Sequence, residues 1–283
     1  MEEAADSKRW LPQGLAAPDN PHMGDQFAQV YDMTANRITG PVAVEALRLA
    51  GGIHTRMRVL DIAAGAGALS IPAAFGGATV LAVDIAPGMV NLLSERFTPF
   101  PNAAAAVMDG QALAIDDGSF DLACSIFGVS LFNDWRKGLQ EQVRVLRSGG
   151  KACIATWKVP PGGGPFLVMG KAMRLVFPDR APPAPPEGFV ALSDPARVIT
   201  ELEAAGLVDV RVEEVQAVWQ GAAGPAYLEE LHALHRFMPP YAALDEAARR
   251  EVDRAILRII EEYTVDGRTH MASPALIATG TKP

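Results

Sequence analysis

Apolar and polar positions change their period several times along the chain. Residues 25–38 (DQFAQVYDMTANRI) and 40–52 (GPVAVEALRLAGG) carry apolar side chains at helical spacing, with Pro41 suited to a first turn and Gly51 to an end cap. MRVLDIA (57–63) is a continuous apolar, β-branched run, as a strand buried on both faces requires. Short helices and strands then alternate. Residues 68–75 read as a helix with Pro72 near its start, 79–84 as a strand, 87–97 as a helix opened by Pro87, and the alanine-rich 103–109 and the run 119–127 as strands. Residues 134–150 read as a helix capped by Asp134, with Leu139, Val143 and Leu146 on one face and Gly149–Gly150 at its end; 151–157 is a fifth strand. Strands and helices alternating through short links predict an α/β fold with a doubly wound, mostly parallel sheet. Such a sheet binds ligands at the carboxyl ends of its strands.

Beyond residue 157 the pattern changes. VPPGGGP (159–165) and PDRAPPAPPEG (178–188) frame a helical segment, FLVMGKAMRLVF, and the later chain has mostly helical spacing. The expected organisation is an amino-terminal segment over 1–24, a core over 25–157, a Pro/Gly-rich lid segment over 158–200, a core helix and strand over 201–217, a helical lid over 218–269 and a last core strand over 270–283.

Charge and composition narrow the function. The net charge of −8 repels phosphate backbones, so nucleic acid is not an expected partner. The polar start, MEEAADSKRW, lacks the apolar stretch of a secretory signal, and no run reaches the ~18 apolar residues of a membrane span. Two cysteines, Cys124 and Cys153, make no disulfide framework, which suits a cytoplasmic protein, and the five histidines show no metal-ligand spacing, so no metal is expected. Oligomeric state is not encoded in any pattern of this kind.

The candidate chemistry begins at VLDIAAGAGALS (59–70). Small residues behind a strand-ending acid keep side chains away from a ligand that approaches the backbone. A dinucleotide site wants G-x-G-x-x-G, but the third glycine is replaced by Ser70, and no Gly-Lys-Ser/Thr follows for a Walker loop. Asp84 ends the next strand and suits ribose hydroxyls of any adenosine ligand. Asp109, with Gly110 and Gln111, ends the third strand and suits an adenine amino group.

Four segments, VLDIAAGAG, VLAVDIAPGMV, MDGQALAIDDGSFDLACS and VLRSGGKACIATW, resemble in order and spacing the successive motifs of class I S-adenosylmethionine-dependent methyltransferases. The closest similarity is to their quinone-biosynthesis-like, small-molecule branch. The resemblance covers residues 25–157, and SDPARVITELEAAGLVDVRVEEV and HMASPALIATGTK resemble the family's last helix and two strands. It implies a seven-stranded Rossmann-like methyltransferase sheet with a helical lid and S-adenosylmethionine as cofactor. It implies that Asp61, Ala63, Gly65 and Gly67 line the methionine part, and that Asp84 takes the ribose, flanked by Ile85 and Met89. Asp109, Gly110, Gln111 and Ala112 would hold the adenine, Ser125 would lie near the sulfonium, and Tyr31 would close over the cofactor. Ala63 departs from the family's usual glycine.

The reaction expected is methyl transfer to an O, N, S or C nucleophile of a small-molecule acceptor, by direct displacement. The rivals are a protein using the cofactor structurally or for a rearrangement, and a nicotinamide oxidoreductase. Ser125-Ile126-Phe127-Gly128 lacks the Asn/Asp-Pro-Pro-Tyr/Phe of enzymes that methylate exocyclic base amines, and the family's usual histidine place reads Ser130-Leu131. The candidate bases are therefore His22, Tyr31, His232 and His235. Phe127, Trp135, Met169, Met173, His232 and His235 are expected to shape the substrate pocket, with core or lid packing as the alternative for each.

Overall fold

The computed structural model describes residues 20–159, 162–182 and 184–283. Of the expected segment 1–24, only 20–24 therefore lie within the described residues.

Among the described residues, eight strands form one sheet: β1 (Arg58–Ile62), β2 (Thr79–Asp84), β3 (Ala103–Val107), β4 (Phe120–Ile126), β5 (Leu146–Trp157), β6 (Val208–Ala222), β7 (Thr264–Val265) and β8 (Arg268–Thr281). The main path runs β3-β2-β1-β4-β5-β8-β6, and the two-residue β7 pairs with β8. The first five strands are mutually parallel, and β8 is antiparallel to both neighbours. The order reverses beside β1, so the crevice opens where β1 and β4 end.

Period-2 alternation sends the apolar strands to two faces. Val59, Leu122, Cys124, Cys153 and Ala155 enter one core, and Leu60, Ile62, Ala123, Ala152 and Ile154 the other. The first face is covered by α1 (Asp25–Thr34), α2 (Asn36–Leu49), α3 (Ser70–Phe75) and α4 (Pro87–Arg96). The second is covered by α5 (Trp135–Arg144) and α8 (Pro195–Ala204), reached in the chain after α6 (Pro165–Val176) and α7 (Glu187–Ala191). Cys124 and Cys153 are register partners and fully buried.

Two sequence expectations are corrected. Pro41 lies inside α2, not in a first turn, because that helix starts at Asn36. Pro41 is exposed, so water can take the carbonyl that its missing N–H leaves. The helix expected over 134–150 ends at Arg144, and Leu146–Gly150 join β5. Asp134 does cap it, accepting from the Lys137 N–H at 2.9 Å. Val143, Val145 and Leu146 suit either period, so bonds made elsewhere in the chain decide. Arg144 anchors the helix end by donating to the Leu113 and Ile115 carbonyls, and Phe120 then pairs with Leu146 across a bulge.

The later chain builds a cap on an unusually long ladder. β5 stops pairing with β8 at Trp157–Ala275, but β6 and β8 continue from Gln216–Pro274 to Ala222–Arg268. That extension carries α9 (Pro225–Phe237), α10 (Pro239–Ala242) and α11 (Glu246–Glu261). Val168 and Met169 of α6, Leu231 and Leu234 of α9 and Ile256 and Ile260 of α11 share one apolar cluster with the sheet. The cap is thus continuous with the main core. No described helix is long and apolar enough to cross a membrane.

Candidate functional site

The loop after β1 is held by backbone bonds that leave no room for side chains. Ala63, Gly65 and Gly67 have φ of 57, 53 and 89°, in the left-handed region. A methyl on Gly67 would sit 2.7 Å from Cδ2 of Leu93, so the loop lies flat on α4. The Ala64 N–H donates to the Val83 carbonyl at 3.0 Å and the Gly65 N–H to Oδ2 of Asp84 at 2.8 Å. Oδ1 of Asp84 accepts from the Ala86 N–H at 2.9 Å. One carboxylate therefore ties the ends of β1 and β2 together.

A cleft of about 510 Å³ opens at these strand ends, the size of a small-molecule or cofactor site. Ala63, Gly65, Asp84, Ile85, Met89, Asp109, Gly110 and Gln111 line one part of it. Oδ1 of Asp109 accepts from both the backbone and the side-chain nitrogen of Gln111, each at 2.9 Å, and Oε1 of Gln111 accepts from the Asp134 N–H at 2.7 Å. Gly110 is needed because a methyl there would lie 2.5 Å from the Phe132 ring.

Phe27, Ile126, Phe127, Leu131, Phe132 and Phe166 add apolar surface to the same lining. Phe127 has a φ of 59°, costly for a bulky residue. Its N–H donates to the Ala155 carbonyl at 2.9 Å, and its ring stacks on Trp157 at 4.2 Å between centroids. A second cavity of about 20 Å³ adjoins the cleft, sharing Tyr31, Ala63, Gly65 and Ile126 and adding Asn36, Thr39, Asp61 and Leu69.

A family model for the methyltransferase domain matches residues 59–150, which span the glycine loop, β2 to β4 and the start of β5. A demethylmenaquinone methyltransferase of Mycolicibacterium gilvum is 30% identical over 212 residues, covering 68% of this chain and 89% of the relative. The chain belongs to the class I S-adenosylmethionine-dependent methyltransferases. S-Adenosylmethionine is the cofactor of this methyltransferase. An uncharacterised protein of Mycobacterium tuberculosis is also 30% identical, over 84% of this chain and 86% of its own. Among solved structures, a phosphoethanolamine N-methyltransferase of Haemonchus contortus, in complex with phosphomonomethylethanolamine and S-adenosylhomocysteine, shares the fold. Its TM-score is 0.57 at 20% identity, over 94% of this chain and 59% of that one.

The electrostatics of this methyltransferase fit a ligand that carries positive charge. Asp61 is 2% exposed, and burial pushes its carboxyl up to about 7, against the hydrogen bond that Oδ2 accepts from the Ser70 hydroxyl. Burial also raises Asp84, against the amides of Ala86, Gly65 and Ile85. Burial, and then Asp84, push the Tyr31 phenol up to about 12. Among the described residues neither acid has a salt-bridge partner.

The raised Asp61 has a consequence for stability. An unfolded aspartate titrates near ~3.9, so from there to about 7 the folded chain holds a proton that the unfolded chain has lost. The contribution is fully present below the unfolded value and is lost as pH rises through about 7; Asp84 acts in the same direction. The melting temperature of the ligand-free methyltransferase should therefore fall between about pH 5.5 and 8, and less so in Asp61→Asn. Parallel melting curves across that range would remove Asp61 as the source.

The cleft of the methyltransferase brings together most of the residues expected from sequence. His22, Tyr31, Ala63, Gly65, Asp84, Ile85, Met89, Asp109, Gly110, Gln111 and Phe127 line it, and Asp61 lines the adjoining cavity. Eight expected residues line neither. Gly67 is spent on packing against α4, Ala112 is exposed, and the Ser125 hydroxyl accepts from the Val129 N–H at 3.0 Å. Trp135 is buried on the opposite face of the sheet, beneath Arg136. Met169 and Met173 turn into the core that α6 shares with α11. His232 is exposed on α9. His235 lies buried between Tyr227 and Tyr241, and burial, helped by His232, presses it down to about 4.

Residues that sequence reasoning missed include Phe27, Phe132, Phe166, Asn36 and Thr39. Only Phe27 and Asn36 had a usable signal, being close to Tyr31 on the leading helices.

Proposed function

We propose that this methyltransferase acts on a small, largely apolar acceptor by direct displacement, and that positioning and desolvation supply most of the catalysis. The observation that carries this reading is the aromatic share of the cleft lining, Phe27, Phe127, Phe132 and Phe166, with Phe127 held at positive φ against Trp157. An aromatic lining of this kind suits a ring system better than a charged headgroup. The similarity to the Mycolicibacterium demethylmenaquinone methyltransferase agrees with a ring acceptor.

The chain's own residues divide as follows. Asp84 accepts from the ribose hydroxyls, Asp109 and the Gly110–Gln111 backbone hold the adenine, and Asp61 with Ala63 and Gly65 receives the amino-acid end. Asp109 suits its part because, among the described residues, no hydrogen bond uses its Oδ2. When bound, the cofactor supplies an electrophilic methyl group on a sulfonium. Excluding water there strengthens every charge interaction, and fixing the acceptor lowers the entropic part of the barrier.

Among the described residues that line the cleft, no side chain is left over to act as base. The titratable residues lining the cleft are His22, Tyr31, Asp84 and Asp109. His22 donates from Nε2 to the Phe237 carbonyl at 2.8 Å, and its Nδ1 lies 3.0 Å from Oδ1 of Asn20. The acceptor must then bring a nucleophile that needs no enzyme base: a thiolate or a phenolate, already deprotonated, or an activated ring carbon that releases its ring proton to water after the methyl has been transferred. Glutamine in place of His22, His232 or His235 should lower kcat by less than about a hundredfold, and the pH profile should follow the acceptor's ionisation.

The experiment is a substrate panel of aromatic and aliphatic acceptors, with S-adenosylhomocysteine formation as the readout. Turnover confined to charged, non-aromatic acceptors would overturn the reading. Tight cofactor binding with no product from any acceptor would favour a structural or rearrangement role for the cofactor. A histidine variant that bound both ligands but lost a thousandfold in kcat would identify a general base.

A further inference from the structure

Arg96 lies on α4 outside the cleft lining, yet it holds two parts of the site together. Its Nη1 donates to the Ala66 carbonyl of the glycine loop at 2.7 Å and to Oδ1 of Asp32, on α1, at 2.9 Å. Its Nη2 donates to Oδ2 of the same carboxylate. A forked guanidinium suits this task because one planar group reaches a carboxylate and a carbonyl at once.

The chain of bonds continues. Oδ1 of Asp32 also accepts from Nδ2 of Asn36 at 3.1 Å, and Oδ1 of Asn36 accepts from the Thr39 hydroxyl at 2.8 Å. With an acid on one side and a hydroxyl on the other, the Asn36 amide has a single consistent orientation, nitrogen toward Asp32. A primary amide has two N–H groups, and Asp32 takes one. Asn36 and Thr39 line the small cavity beside Asp61, Gly65 and Ala66. That cavity of about 20 Å³ has room for one water-sized polar group, and it adjoins the larger cleft at Tyr31, Ala63, Gly65 and Ile126, so a ligand end with two polar groups would span the two.

The chemistry of the small cavity is therefore paired. Asp61 offers a carboxyl to a cation, and Asn36 offers a directed N–H to an anion. The amino-acid end of S-adenosylmethionine carries an ammonium and a carboxylate, and no other part of that molecule carries both. We propose that Asn36 is a binding residue for the cofactor's carboxylate, and that Arg96 and Asp32 are positioning residues that aim its free N–H. The proposal rests on the assignment above of Asp61 and Gly65 to the amino-acid end.

The test uses the full chain and two ligands. S-Adenosylhomocysteine has the amino-acid end; 5′-deoxy-5′-methylthioadenosine keeps the adenosine and the thioether but lacks it. In calorimetry, Asn36→Ala should bind S-adenosylhomocysteine roughly tenfold or more weakly, as expected when a hydrogen bond to a charged group is lost. It should bind methylthioadenosine as the unaltered protein does. Arg96→Lys keeps the charge but loses the fork, and should lose several-fold affinity for S-adenosylhomocysteine alone. A structural defect would weaken both ligands alike, and that equal loss would overturn the proposal. So would an unchanged affinity for S-adenosylhomocysteine in folded Asn36→Ala. If Asn36→Ala does not fold, Arg96→Lys decides by the same selectivity. Failure of the unaltered protein to bind either ligand would instead refute the cofactor assignment itself.

Discussion

Replacing Asp84 by alanine is expected to weaken S-adenosylhomocysteine binding by about 2–3 kcal/mol, roughly thirtyfold to more than a hundredfold, while the protein stays folded. The carboxylate has two duties. It receives the Gly65 and Ala86 amides at 2.8 and 2.9 Å, which sets the glycine loop against β2, and it faces the cleft with its remaining lone pairs. Removal withdraws the acceptor proposed for the ribose hydroxyls and frees the loop that shapes the site. Stability should change little, because the lost amide bonds are offset by relief of a desolvated carboxylate that burial already disfavours. Asp84→Asn keeps one acceptor oxygen and should fall between the two. Calorimetry alongside thermal melting checks this. An unaltered dissociation constant in folded Asp84→Ala would remove the residue from the binding site.

The parallel half of the sheet was legible because its strands are buried on both faces. Val59–Ile62, Thr79–Asp84 and Phe120–Ile126 are mostly apolar runs, and Asp61 and Asp84, at or next to the ends of the first two, mark the crevice. The part of the cleft lining formed by Gly65, Asp84 and Asp109 was legible for the same reason, since these residues stand at or just after strand ends. The aromatic part of the lining was not. Phe27, Phe132 and Phe166 come from three separate segments and meet only through the fold. Trp135, Met169 and Met173 show why an apolar face misleads: periodicity says that a side chain is buried, not against which neighbour. His235 failed similarly, because a helix pattern does not reveal that Tyr227 and Tyr241 enclose it. The end of α5 was misplaced because the residues around it fit two periods and a bulge decides between them.

Ala63 was recognised in the sequence as a departure, but its cost and its compensation appear only in three dimensions. It sits at φ 57°, where alanine is strained by about 1–2 kcal/mol. Across the crevice Gly128 follows the equally unusual Phe127, and a methyl on Gly128 would lie 2.5 Å from Cβ of Ala63 and 2.9 Å from Oγ of Ser125. The two positions therefore share room for one methyl group. Gly128→Ala should destabilise the protein by roughly 1–3 kcal/mol, the usual cost of overpacking, and should impair cofactor binding because the displaced residue is the loop itself. Ala63→Gly alone should be near neutral, since relief of the backbone strain offsets the lost contact. Combining the two should restore part of the stability, with a coupling of about 0.5 kcal/mol or more. Rescue should remain incomplete, because the Ser125 hydroxyl is fixed by the Val129 N–H at 3.0 Å and cannot withdraw freely. Denaturant melts of the four proteins measure the cycle. Strictly additive effects would show that the two residues do not compete for that space, and the alanine at 63 would then need another explanation.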